Sequence, residues 1–347
     1  MLRPYVIPYL ESSMFEPQRI DKIRAVAEQT MAYPFKVWGF GEGLALEALW
    51  LAGDLLPEPR YRAFVIDLFE QWLQREIVEA DHSAPGGLLL EAYESTGDER
   101  YLARAQALAE HMCGLPTAPF GARLHRPQHP DYHDYLYVDC MEVDAPFLCK
   151  LAQITGDSSL FDDAALQILA YSRLLQDKRT CLFYHQYNAA TKIVNGAFWG
   201  RGNAWALLGL LKTLQLLPES HSAYTELRQR LNRVAAALQR SQLFSGDWPT
   251  VLDQPDTYIE GSLAAMFTYG LASASASLLL DENYSVTIAQ GALAMNARLI
   301  DGRLLDTSIA TPPGDAAHYN RIATTSGLPW GQGPALLALC TIGVGER

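Results

Sequence analysis

The sequence predicts an all-α chain folded as an (α/α)6 barrel, six inner helices enclosed by six outer ones. Three observations predict it. Six long segments are apolar almost all round, and a helix without a wet face must be enclosed by others. Six amphipathic segments with charges at helical spacing alternate with them. The alternation repeats at intervals of about 45 to 70 residues, the mark of an architectural repeat.

In chain order, the amphipathic stretch 17–31 leads into the first apolar segment, GEGLALEALWLAGD (41–54), which ends on the turn signal Gly53-Asp54. The stretch 60–77 alternates Tyr61, Phe64, Ile66, Leu68, Phe69 and Trp72 with Arg62, Asp67, Glu70 and Gln71. PGGLLLEAYESTGD (85–98) closes on Thr96-Gly97-Asp98 and is followed by the amphipathic 99–113. DAPFLCKLAQITGD (144–157) closes on Thr155-Gly156-Asp157, before 158–176. RGNAWALLGLLKTLQLLPE (201–219) stops at Leu217-Pro218-Glu219, before 221–240. GSLAAMFTYGLASASASLLL (261–280), the amphipathic 284–299 and GQGPALLALC (331–340) complete the ring. Glycine suits the end of a helix because it accepts positive φ without steric cost.

Inner helices that each return through an outer helix run parallel, so their N-termini collect at one end. The long loops 78–84, 114–138, 177–200, 241–259 and 300–330 lie at that end, where function is expected. No glycine- or proline-rich linker divides the chain, and cutting a ring would expose its core. The expectation is one domain over 1–347.

Composition narrows the function classes. With 49% hydrophobic and 19% charged residues the chain is globular. Its net charge of −12 disfavours nucleic acid and anionic membranes as partners. Cys113, Cys140, Cys149, Cys181 and Cys340 form no CxxC pair, so neither a zinc ribbon nor a disulfide framework is expected. The first twenty residues lack a signal-peptide pattern and no apolar run approaches the ~20 residues of a membrane span. A soluble, reduced, cytoplasmic protein is the expectation.

The starts of the inner segments carry carboxylates, aromatics and a guanidinium. Trp38 precedes the first, Asp81 and His82 the second, and Asp139 opens the third. Trp199, Arg201, Asn203 and Trp205 straddle the fourth, Glu260 opens the fifth and Trp330 precedes the sixth. Such a set describes a carbohydrate site, with rings for sugar C–H faces and polar groups for hydroxyls and carboxylates. Structural alternatives stand beside each. Asp139 begins a D-x-x-E capping box with Glu142, and Asp81 suits a turn or cap. Trp199 and Trp205 suit core packing, and Arg201 suits an ion pair with a neighbouring helix. The run His125–Asp134 has three histidines but no HExxH helix, so it reads as a solvated loop and not as a metal site. Gly39-Phe40-Gly41-Glu42-Gly43 reads as a helix entry, since no strand precedes it. Neither a metal nor a cofactor is expected.

YVDCMEVDAPFLCKLAQITGD (137–157) resembles the D-x-x-x-M-x-x-P-F-L…TGD segment of the unsaturated glucuronyl and rhamnogalacturonyl hydrolases, glycoside hydrolase families 88 and 105. DHSAPGGLLLEAYESTGDERY (81–101) is similar to their D-x-I-N-P-G…LY-x-x-TGD segment, and FWGRGNAWALLGLLKTLQLLPE (198–219) to their F-W-x-R-G-N-G-W segment. YIEGSLAAMFTYGLA (258–272) and GQGPALLAL (331–339) resemble two further family segments, so the likeness spans nearly the whole chain in order.

The resemblance implies the same barrel and, by motif position, Asp139 as general acid/base with Asp81 as a second essential carboxylate. It places Trp199, Arg201, Asn203 and Trp205 in the substrate-binding block, with Trp38 and His185 as looser matches to sugar contacts. Val143 stands where methionine is usual, Asp144 adds an acid, and Ser83-Ala84 replace Ile-Asn. The substrate implied is a small oligosaccharide ending in a 4,5-unsaturated uronic acid, with rhamnose as the expected aglycone; Arg201, a guanidinium able to hold a carboxylate through two hydrogen bonds, is the candidate grip on the uronate. For Asp139 to hold a proton, burial and a nearby ionised Asp81 are expected to raise its pKa. Two rivals remain: an (α/α)6-barrel sugar epimerase, which would rely on histidine proton shuttles, and a non-catalytic glycan-binding toroid, which would need neither carboxylate.

Overall fold

Helices form over all twelve segments in the expected inner and outer order; the computed structural model describes residues 5–6, 16–35 and 38–343. They are α1 (Glu16–Met31), α2 (Phe40–Leu55), α3 (Pro59–Leu73), α4 (Gly86–Thr96), α5 (Glu99–Cys113), α6 (Cys140–Thr155), α7 (Ser159–Leu175), α8 (Gly200–Leu216), α9 (Tyr224–Ser241), α10 (Gly261–Ala276) and α11 (Ser285–Ala297). A single turn, α12 (Ala316–Tyr319), interrupts the last long loop before α13 (Pro329–Thr341).

Burial separates the two layers. Fourteen of the seventeen residues of α8 and fourteen of the sixteen of α10 are buried, so these helices are enclosed on every side. On α9 only Leu227, Leu231, Val234, Ala235, Ala237 and Leu238 are buried, one apolar face with charges opposite. The ring closes where α13 packs against α2, α10 and α1. Beside that seam, strand Tyr5–Val6 pairs parallel with Ile342–Gly343. Among the described residues no helix is long and apolar enough to cross a membrane.

Two of the glycine turns form as expected: Gly97 and Gly156 cap α4 and α6 with φ of 70° and 75°. Gly53-Asp54 does not end its helix. α2 runs on to Leu55, and Gly53 lies inside it, facing Arg62, Glu58 and Tyr61. Gly209 lies between inner helices. A side chain there would collide with the Met141 carbonyl, so its absence lets α8 lie directly on the first turn of α6.

A small antiparallel sheet sets the mouth of the barrel. Strand Tyr135–Tyr137 pairs with Gln186–Asn188, with Leu136 opposite Tyr187 and Tyr137 opposite Gln186. The Val138 N–H then donates to the His185 carbonyl at 2.9 Å. This register carries the chain into α6 with Asp139 beside His185.

Candidate active site

Asp139 occupies the N-cap position of α6, where a capping bond was one expectation. Its backbone is already helical (φ −54°, ψ −33°) and its side chain makes no capping hydrogen bond. Oδ2 instead lies 3.4 Å from His185 Nε2, buried and with no hydrogen-bond partner among the described residues. The carboxyl group stands in the wall of a cavity of about 450 Å³.

His185, Trp199, Arg201 and Trp205 line the same cavity, so five of the eight candidate residues come together. The His185 ring stacks on Trp199 with centroids 4.2 Å apart. Tyr33, Phe40, Tyr132, Tyr137 and Trp330 supply further aromatic wall. Planar rings around one carboxyl group make a surface for a sugar, whose C–H faces are apolar and whose hydroxyls need few, well-placed partners.

Arg201 realises the ion-pair alternative. Its guanidinium pairs with Glu260 at the start of α10, donates from Nη1 to Ser308 Oγ at 2.6 Å and from Nη2 to Thr311 Oγ1 at 2.9 Å. It also lies over Trp199, 4.6 Å from the ring centroid. Both partners are buried, with side-chain exposures of 4% and 0%, so the charge is neutralised inside the protein. Trp330 joins this cluster by donating its indole N–H to the Ser308 carbonyl at 2.8 Å.

Three candidate residues sit behind the cavity and not on it. Asn203 clamps the neighbouring chain: its Oδ1 accepts from the Phe183 N–H at 2.7 Å, and its Nδ2 donates to the Phe183 and Trp199 carbonyls. That clamp anchors the segment leading to His185. Trp38 packs edge-on against Trp72, 5.6 Å between centroids. Asp81 lies on a 3-10 turn, Glu79–Ser83, where Arg75 grips both its oxygens at 2.6 and 2.7 Å and the Val78 N–H donates to it at 2.9 Å. Burial alone would raise its pKa, but Arg75 and the Val78 N–H together hold it below the usual value. Asp81 is not among the residues that line the Asp139 cavity, and a guanidinium six residues upstream binds it. Its neighbour His82 packs against Phe40 of the cavity wall, with rings 5.6 Å apart.

The family model of Glycosyl Hydrolase Family 88 matches residues 16–343, almost the full length of this ring. The chain is a member of glycosyl hydrolase family 88. It is a glycoside hydrolase, and its (α/α)6 toroid is the fold expected. Unsaturated rhamnogalacturonyl hydrolase YesR of Bacillus subtilis (strain 168) is 28% identical over 340 residues, covering 93% of this chain and 95% of that protein. A possible member of the GH105 family from Salmonella enterica shares the fold with a TM-score of 0.86 at 24% identity, over 96% of each chain. The unsaturated glucuronyl hydrolase of Bacillus sp. GL1 does so with a TM-score of 0.70 at 17% identity, over 93% and 95% of the two chains.

Two charged residues that sequence reasoning passed over also line the cavity of this family 88 hydrolase. Glu42, in the first turn of α2, is the second carboxyl group on the cavity wall, and burial raises its pKa. Arg126 lines the wall beside Tyr132, and among the described residues no carboxylate pairs with it. The His125–Asp134 run is thus more than a solvated loop. Arg126 and Tyr132 face the cavity, and His125 is buried. Among the described residues no group of three or more His, Cys, Asp or Glu side chains is arranged to hold a metal ion.

The buried His125 accounts for Asp144. Its Nε2 lies 2.8 Å from Asp144 Oδ2, and its Nδ1 lies 2.9 Å from the Tyr171 hydroxyl. Tyr171 donates its one proton to the Arg123 carbonyl, so His125 Nδ1 must also donate, and the ring is an imidazolium. Burial opposes that charge, but Asp144 outweighs it and pushes the pKa up to about 10 from the ordinary 6.5. Because the folded value is raised, the stabilisation is fully present below pH 6.5 and is lost as pH climbs through 10. Chemical unfolding of the wild type should show that decline between the two values, and Asp144→Asn should remove most of it.

A larger cavity of about 690 Å³ lies inside the ring, bordering the first at Phe40. There Lys212 bridges Glu47 and Glu142 at 2.5 and 2.6 Å. Asp139, His185, Trp199, Trp205 and Trp330 line the smaller cavity and not the larger, so the smaller is the candidate active site.

Proposed function

We propose that this hydrolase releases a 4,5-unsaturated uronic acid from the non-reducing end of lyase-generated oligosaccharides, with unsaturated galacturonyl-rhamnose as the first substrate to test. The observation that carries the reading is Asp139. At a position where aspartate ordinarily caps a helix, its carboxyl group leaves the cap unmade and stands among aromatic rings, with His185 behind it. The name of the YesR relative supports the substrate class.

The chemistry is hydration of an enol ether. Protonated Asp139 gives its proton to C4, and the C4=C5 π pair forms the new C–H bond. Positive charge develops at C5 and is shared with the ring oxygen. Water adds to C5 and returns a proton to the ionised Asp139, so one carboxyl group serves as acid and then as base. The C5 hemiketal opens to a ketone, and the C1 hemiacetal left behind expels the aglycone. This differs from displacement at the anomeric carbon, which needs two opposed carboxyl groups. The absence of Asp81 from the cavity is compatible with it, and Glu42 remains as the second acid near the substrate.

Arg126, with which no carboxylate of the described residues pairs, suits the substrate carboxylate better than Arg201, whose charge Glu260 already answers. Arg126→Ala should raise KM for the unsaturated disaccharide by about 10- to 100-fold, the factor expected for a lost hydrogen bond to a charged group. Initial-rate kinetics check this, and an unchanged KM would return the role to another group. The closed ring supports one catalytic domain over 1–347. Five free cysteines fit a reducing cytoplasm, and the substrate fits the later steps of pectin breakdown.

The test is direct. Mixing the protein with an unsaturated galacturonyl-rhamnose disaccharide should abolish the ultraviolet absorbance of the enol ether with saturable kinetics. Isomerised sugar with absorbance unchanged would support an epimerase. Binding without any conversion would support a glycan-binding toroid.

A further inference from the structure

Behind Asp139, a chain of hydrogen bonds runs from backbone groups whose direction is fixed. The Gln186 N–H can only donate, and it does so to Asn195 Oδ1 at 3.2 Å, which orients that amide. Asn195 Nδ2 therefore donates, to the Gly314 carbonyl at 2.8 Å and to the Tyr319 hydroxyl oxygen at 3.0 Å. The Gly314 N–H donates to the same hydroxyl oxygen at 3.2 Å. With both lone pairs of Tyr319 occupied, its own proton has one acceptor left, His185 Nδ1 at 2.8 Å.

We propose that Tyr319 is a positioning residue that fixes His185 as its neutral Nε2–H tautomer, so that Asp139 carries its catalytic proton on Oδ1. An imidazolium or an Nδ1–H ring would leave the Tyr319 proton without a partner in a buried place, where Tyr319 and His185 are 0% and 3% exposed. The Nε2–H then sits on the nitrogen 3.4 Å from Asp139 Oδ2, an oxygen with no hydrogen-bond partner among the described residues. Such apo distances shorten when substrate binds. Once that contact closes, Oδ2 accepts from His185, and the proton given to C4 and recovered from water resides on Oδ1. Burial pushes the Tyr319 hydroxyl above the ordinary tyrosine range, so it keeps its proton as this wiring requires. Tyr319 also lies parallel to Trp199, with a 6° interplanar angle, which holds its ring in register with the site.

The inference rests on the Asp139 reading for its catalytic consequence, but its central claim is testable without substrate. The imidazole nitrogens of His185, identified by their loss in His185→Gln, should show the Nε2–H pattern in ¹⁵N NMR of the wild-type protein. In Tyr319→Phe that pattern should give way to a tautomer mixture. The kcat of that variant should fall about 10- to 100-fold, as for other lost orienting hydrogen bonds. Its KM should stay within about threefold, since no substrate contact is removed. An Nδ1–H or imidazolium pattern in the wild type would overturn the proposal, even if Tyr319→Phe failed to fold. Retention of the Nε2–H pattern in a folded Tyr319→Phe protein would overturn it too, whatever its rate. Full turnover by Asp139→Asn would instead overturn the functional reading and leave the tautomer assignment standing.

Discussion

Asp139→Asn should lower turnover of the unsaturated disaccharide by about 10²- to 10⁴-fold, the range for loss of a general acid/base. The amide keeps the shape of the side chain but cannot deliver a proton to C4. Stability should change little, because the Asp139 side chain makes no capping bond and Oδ2 has no hydrogen-bond partner to lose. Steady-state rates from the enol absorbance, paired with denaturant unfolding, separate the two effects. A folded variant turning over at near-normal rate would remove Asp139 from the chemistry.

The second large effect concerns stability. Glu260→Ala should destabilise the protein by about 3–5 kcal/mol, because it leaves the Arg201 guanidinium buried without its counter-charge. The bonds of Arg201 to Ser308 and Thr311 would remain, but neutral hydroxyls answer only part of a full charge. Arg201→Ala should be comparably destabilising, since Glu260 is then the stranded charge. The urea midpoint reads both. An Arg201→Ala protein of normal stability but weakened affinity for the charged sugar would reverse the assignment and make Arg201 the substrate anchor.

Much of the architecture was legible because burial leaves a periodic trace in composition. A helix enclosed on all sides, as α8 and α10 are, cannot hide its apolar circumference. Asp139 was legible for a related reason, since it stands directly before a helix and the ring gathers helix starts at one end. What sequence reasoning missed depends on side-chain direction inside long loops. Nothing local announces that Arg126 faces the cavity while its neighbour His125 turns inward to Asp144, nineteen residues on. Asp81 looked like a partner for Asp139 because both precede inner helices, yet Arg75 satisfies it locally. Tyr319 bonds to His185 across 134 residues of chain, a distance no motif spans.

The common orientation of the inner helices has an electrostatic consequence. Residues at the starts of α2, α6, α8 and α13 all border the Asp139 cavity. Each helix start carries the equivalent of roughly half a positive charge from its aligned peptide dipoles. On a molecule whose net charge is −12, the repulsion an anionic sugar meets at long range is therefore opposed at the entrance itself. The protein can keep its net negative charge while the opening of the barrel draws in a ligand of the same sign.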